Sequence, residues 1–180
     1  MLIAQEKQKE NIGEYIIYMW QVEDTLRASK FNMNLLEERI ISQFSDNERI
    51  RQEIRDWYAN LIVTMHEEKL QEKGHLSMLN SLVEELNDLH KKLLESKQDA
   101  KYLELYTLAS PNIIEIEKKL GRKPVSEVDT CLTALYALLL MRLKKKEITH
   151  ETLEAMKTFS NLLALLSNWY KKIKTGEAEI

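Results

Sequence analysis

At 180 residues the chain has the length of one compact domain, and its 44% apolar content can fill a core. Four glycines and two prolines are too few for a turn-rich sheet protein or a glycine-rich phosphate loop, so long helices are expected. A net charge of −3 argues against a dedicated nucleic-acid binder, and a single cysteine, Cys131, excludes an internal disulfide.

Residues 1–11 read as a loose lead-in, polar and charged from Gln5 to Asn11. They show neither the apolar run of a signal peptide nor that of a membrane span, so the cytoplasm is the expected location. Asn11 can cap a helix running to about Ser29. Ile12, Tyr15, Tyr18, Met19, Val22 and Leu26 form its main stripe, and Ile16, Ile17 and Trp20 lie on a second apolar flank. Glu23 and Arg27 stand four apart, the favourable order for a helix ion pair. Trp20, Glu23, Asp24 and Arg27 are thus the densest mixture of aromatic and charge in the chain.

A short helix is expected over about Asn34 to Phe44, with Ser45-Asp46 breaking it and capping the next. That one runs on a stripe of Ile50, Ile54, Trp57, Tyr58, Leu61 and Met65 to about Lys73, where Gly74 ends it in the left-handed conformation. Leu79, Leu82, Leu86, Leu89 and Leu93 alternate by three and four, the seam of a helix packed along another. This helix either continues through Tyr102, Leu105 and Tyr106 or bends near Ser96. Ser110-Pro111 reads as a restart, serine at N-cap and proline at the first helical position. Gly121 is expected to end that helix, and Pro124 to keep the connection extended.

The last 50 residues set the architecture. Ser126-x-x-Asp129 resembles a capping box and opens a helix apolar on opposite sides: Val128, Leu132, Leu135, Tyr136, Leu139 and Leu143 on one, Ala134, Ala137, Leu138 and Met141 on the other. A helix apolar all round is buried or in a membrane, and this run is too short to span a bilayer. Lys144 to Glu147 reverse the chain, and Thr149 caps a final helix carrying Met156, Phe159, Leu163, Leu166 and Tyr170 on one face. The expected fold is all-α: a single-domain bundle of about six to seven helices built around a buried C-terminal helical hairpin, about 126–173.

Chemistry leaves few marks. The Walker loop, GxGxxG, CxxC, HExxH and GxSxG are all absent. Glu72/His75 and Glu147/His150 have the Glu-x-x-His spacing of di-iron bundles, but both fall at chain reversals, where ligands cannot project into a bundle core. His66 and His90 stand one residue off their apolar stripes, as boundary histidines or partners of a neighbouring helix. Cys131, in the most apolar helix, reads as a buried, inert thiol. The lysines of Arg142–Lys146 and Lys171–Lys174 lie in last turns, where they complement the helix dipole.

The segment from Glu14 to Arg27, EYIIYMWQVEDTLR, resembles the opening of a family of all-helical proteins of about this length, found in Bacteroides and its relatives and classified as a domain of unknown function. The similarity extends to Glu127-Val128-Asp129 and Asn168-Trp169-Tyr170 and covers nearly the whole chain. It implies a single helical domain in a bacterial cytoplasm and implies no activity.

The leading expectation is a non-enzymatic interaction protein, a homo-oligomer or binder of a protein partner. Its candidate partner or ligand surface is Ile16, Ile17, Trp20, Glu23, Asp24 and Arg27, since interfaces favour aromatic and arginine anchors. The competing reading packs both flanks of that helix into the core. A small-molecule-binding bundle with Trp20, Tyr15 or Trp169 lining a pocket is the alternative. A metal-dependent enzyme using Glu23, Asp24 or a histidine ranks third, and nucleic-acid binding last. No catalytic residue, metal site or cofactor is assigned, and no membrane contact is expected.

Overall fold

The structure, a computed structural model, describes residues 2–45, 47–119 and 125–180. Eight α-helices are found among them, and no strand: α1 (Leu2–Glu10), α2 (Ile12–Ala28), α3 (Met33–Arg39), α4 (Glu48–Glu67), α5 (Ser77–Ser96), α6 (Ala100–Lys119), α7 (Glu127–Leu143) and α8 (His150–Lys174). A 3-10 turn, Ile41–Gln43, follows α3. The fold is all-α, as expected. The breaks assigned to Asp46, Gly121 and Pro124 lie outside the described residues.

The last helix, α8, is the axis, packing against α1, α2, α5, α6 and α7; α7 in turn meets α2, α5 and α6. Phe159 and Leu166 of α8 and Leu132 of α7 are fully buried. Helix α7 is core only as far as Leu138, however. Val128 to Leu132 are buried, whereas Leu139, Leu140 and Met141 stay half exposed and Leu143 is 58% exposed. This corrects the expectation of a helix buried all round. Helix α2 is also enclosed, held between α1, α5, α7 and α8. Gly13 is what lets it approach α8: a Cβ there would meet Ser167 Oγ at 3.2 Å. By contrast α4 leans mainly on α3 and the 3-10 turn, with Ile54, Tyr58 and Met65 inward. Burial, reinforced by nearby Tyr18, pushes the Tyr58 hydroxyl up to about 12.

Three boundaries differ from expectation, and a fourth, the break near Ser96, takes one of the two courses left open, each for a local reason. Residues 2–10 are helical, because Ala4 is buried and α1 packs on α2 and α8. Helix α4 stops at Glu67, not near Lys73. Lys69, left-handed at φ 58°, donates its N–H to the His66 carbonyl while Leu70 donates to Met65, the paired bonds of a Schellman cap. The sequence after Tyr58 hides this, since lysine takes a place usually held by glycine. Lys97, at φ 54°, ends α5, and Asp99 starts α6 by accepting the Tyr102 N–H at 3.0 Å. Finally, Ser110-Pro111 does not restart a helix; α6 runs through Pro111 unbroken. Proline has no N–H for the Thr107 carbonyl. The Ser110 hydroxyl donates to that oxygen instead, at 3.4 Å, and buried Ala109 and Ile113 anchor both sides of the proline.

Helix α4 is capped by Asn47, past the expected Ser45-Asp46: its side-chain oxygen accepts the N–H of Arg49 at 2.9 Å and of Ile50 at 3.4 Å. Three other caps follow the sequence. Asn11 accepts the Glu14 N–H, and Thr149 accepts that of Thr152. Ser126 accepts the Asp129 N–H at 3.1 Å, while Asp129 reaches back one residue further than a capping box requires, to the Val125 N–H at 3.3 Å.

Candidate functional site

The residues singled out on α2 come together, but facing inward. Ile16 is fully buried, Trp20 is 3% exposed and Glu23 1%, while Ile17, Asp24 and Arg27 are half-buried. For Ile16, Trp20 and Glu23 the open surface expected from the sequence gives way to burial against the chain's own elements. The physical reason is the segment joining α4 to α5. It folds over this flank of α2 and supplies His75, which stacks on the Trp20 ring with centroids 4.4 Å apart and planes 21° apart. Tyr136 of α7 meets the same indole edge-on at 5.8 Å. Trp20 Nε1 is buried with no acceptor among the described residues.

Glu23 is the hub. One carboxylate oxygen accepts the Leu76 N–H at 2.8 Å, and the other lies 2.6 Å from His75 Nδ1. A carboxylate only accepts, so His75 donates from Nδ1 and its Nε2 edge is left for solvent. Leu76 is the N-cap of α5 and has no side-chain acceptor of its own. Glu23 takes that role from 53 residues away, and Glu68 accepts from both the N–H and the hydroxyl of Ser77, at 2.7 and 2.8 Å. Two carboxylates at the positive end of α5 also suit its dipole.

Arg27 holds the rest of the segment. Its Nε donates to the Leu70 carbonyl at 3.0 Å, Nη2 donates to the Gly74 carbonyl, and Nη1 pairs with Asp24 at 2.8 Å. The Tyr136 hydroxyl donates to the other Asp24 oxygen at 2.6 Å. Burial first, then that bond to a carboxylate, pushes the Tyr136 hydroxyl well above its ordinary range. Glu23 and Arg27 do not pair with each other, as their spacing suggested; each grips the 68–76 segment instead.

A second polar cluster sits under α7. His90 of α5 is 2% exposed. Its Nε2 lies 3.0 Å from Glu127 and its Nδ1 2.6 Å from the Tyr102 hydroxyl. Tyr106 donates to the other Glu127 oxygen at 3.1 Å. The bond from His90 draws the Glu127 carboxyl below its ordinary range against the opposing effect of burial, with the bond from Tyr106 helping. His90 is thus the histidine bonded to neighbouring helices that its place off the stripe suggested. His66 differs, resting on Phe31 and bonded locally to Gln71. Burial pushes the Cys131 thiol far up, which removes the thiolate a nucleophile needs.

A carboxylate–imidazole couple such as Glu23–His75 can orient a general base or a metal ligand. Here the carboxylate's second oxygen is spent on a helix start. Among the described residues no group of three His, Cys, Asp or Glu side chains is placed to hold a metal ion. Glu72 and His75 lie between α4 and α5, and Glu147 and His150 between α7 and the first turn of α8. The arrangement does mechanical work: it ties α2, α5, α7 and one long connection together. Sequence reasoning found Trp20, Glu23, Asp24 and Arg27 but missed His75 and Tyr136. The available signal was α5 itself, a strong helix pattern starting at His75-Leu76-Ser77 with no capping side chain before it.

No helix among the described residues is long and apolar enough to cross a membrane. Comparison with curated proteins and with solved structures finds no match. The model of a domain of unknown function, DUF4924, matches residues 1–177, and the chain belongs to that family.

Proposed function

We propose that this is a non-enzymatic, cytoplasmic helical protein that works by self-association through the turn end of the α7–α8 hairpin. The observation that carries the reading is the end of α7 beyond Leu138, where Leu139, Leu140 and Met141 are half-buried and Leu143 is 58% exposed. Beside it a groove of about 440 Å³ runs between α7 and α8, floored by Leu135, Leu138, Leu139, Leu153 and Met156. Its rim carries both signs: Arg142 and Lys157 are basic, and Glu154 is acidic. A two-fold contact presents the same patch from both copies, so a rim of mixed sign is self-complementary. Arg142 or Lys157 of one copy meets Glu154 of the other while the leucines pack between them. Each large side chain withdrawn from water contributes roughly 1.5–3 kcal/mol.

Native mass spectrometry of the untagged protein at micromolar concentration tests this reading. A dimer is expected, and Leu139→Glu with Leu143→Glu should return it to a monomer with an unchanged helical circular-dichroism spectrum. A wild-type monomer across that range overturns the reading.

A further inference from the structure

At the other end of α8 a cavity of about 720 Å³ opens between the α1–α2 corner and the last two turns of α8. We propose that it binds a small organic anion, a carboxylate or phosphate ester with an apolar portion. Its volume lies within the range of small-molecule sites. Lys9 comes from α1, and Lys171 and Lys174 come from α8; among the described residues Glu10 is the one acid lining it. In a chain of net charge −3 this is a local concentration of positive charge.

The three lysines are not equivalent. Lys174 is committed, pairing with Glu85 at 3.0 Å and lying over the Tyr170 ring at 5.1 Å. Lys9 and Lys171 have no carboxylate partner among the described residues. Each lies in a last turn, where a lysine offsets the negative end of its own helix. That local role does not account for lysines from two separate helices lining one cavity.

The floor supplies the rest of the argument. Ile12 and Ser167 line it, and both are 2% exposed. Ser167 Oγ accepts the Gly13 N–H at 3.2 Å. Its own hydroxyl proton has no acceptor among the described residues and is available to a ligand oxygen. The close approach of α2 and α8 at Gly13 fixes that hydroxyl in place. Ile12 and the Tyr170 ring offer apolar surface beside it. Ammonium groups at the mouth, one hydroxyl donor on the floor and an apolar wall suit an anionic head on a short organic body. The aromatic side chain at this cavity is Tyr170; Trp20 and Tyr15, expected to line a pocket, are buried in the core.

The test is a titration of the ¹⁵N-labelled full chain with phenyl phosphate, benzoate and inorganic phosphate, followed by amide chemical shifts. Saturable shifts centred on Gly13, Ser167 and Lys171 are expected with phenyl phosphate or benzoate. Lys9→Gln with Lys171→Gln should weaken the binding about tenfold or more, the scale of losing a charge-assisted hydrogen bond, while the remaining amides keep their positions. Ser167→Ala should weaken it by a smaller factor. Shifts that fail to saturate with either organic anion, that scatter over the surface, or that survive the double lysine change overturn the proposal. Equal affinity for inorganic phosphate overturns the organic part of it.

Discussion

Glu23 Oε2 and His75 Nδ1 lie 2.6 Å apart across 52 residues of sequence, and the same carboxylate closes the start of α5. Removing it therefore costs more than one contact. Glu23→Ala leaves the Leu76 N–H buried without an acceptor, a loss of about 1–3 kcal/mol, and strips His75 of its anchor. Glu23→Gln keeps an oxygen for Leu76 and presents an amide to an imidazole that can change tautomer. The expected order of stability in urea denaturation is wild type, then Glu23→Gln, then Glu23→Ala. Equal stability of all three would show that the 68–76 segment is held without Glu23.

The same relationship shows what the sequence could and could not disclose. Periodicity found α2, α7 and α8, because a buried helix must repeat its apolar residues every three to four positions. Local chemistry found the caps at Asn11, Ser126 and Thr149. What stayed hidden is non-local: nothing near His75 announces a glutamate 52 residues earlier. Composition rules also misjudged two residues. Pro111 reads as a helix start because the packing of Ala109 and Ile113 that carries α6 through it is a feature of geometry. Gly74 drew the end of α4 to itself because glycine is the expected left-handed residue, while Lys69 held the position.

Those left-handed lysines give a stability prediction. Lys69 and Lys145 each occupy the position after a helix C-cap with φ of 58° and 52°, where Gly176 serves α8. An L-residue there bears roughly 1–2 kcal/mol of steric cost, partly offset because glycine loses about 0.5–1 kcal/mol more on ordering. Lys69→Gly and Lys145→Gly should each raise stability by about 0.5–1 kcal/mol in urea denaturation. A loss in both would mean that the lysine charge at the helix end outweighs the strain.

Asp99 joins two helices by a different route. One oxygen accepts the Tyr102 N–H at the start of α6, and the other accepts the Trp169 indole N–H at 2.7 Å. Burial works against the carboxylate, yet the bonds from Trp169 and the backbone hold it below the ordinary range. Asp99→Ala should cost about 1–2 kcal/mol through the lost cap and shift Trp169 fluorescence. Asp99→Asn keeps an acceptor for the cap and should recover most of the stability.

Acid should loosen the hairpin through Glu127. Its carboxyl titrates lower in the folded chain than in the unfolded one, drawn down mainly by His90. A depressed carboxyl stabilises the fold above its unfolded pKa of about 4.3, and that contribution fades as pH falls through the lower folded value. Glu127→Gln should therefore flatten the acid limb of the stability–pH curve below about pH 4 to 5. An unchanged limb would assign acid sensitivity to other carboxylates. The side chain is 37% exposed, so solvent screening keeps the effect modest.

Tyr102 and Tyr106 approach this cluster from one face of α6, and their burial sets how much each hydroxyl matters. Tyr102 is fully buried, and its hydroxyl lies 2.6 Å from His90 Nδ1. With Nε2–H directed at Glu127, Nδ1 is an acceptor, and Tyr102→Phe leaves it without a donor inside the core. That should cost about 1–3 kcal/mol. Tyr106 is half-buried and donates to a Glu127 carboxylate that water also reaches, so water can replace its hydroxyl in Tyr106→Phe, at less than about 1 kcal/mol. Urea denaturation of the two variants decides the matter. A larger loss from Tyr106→Phe would mean that the Glu127–Tyr106 bond, and not the Tyr102–His90 bond, holds the cluster.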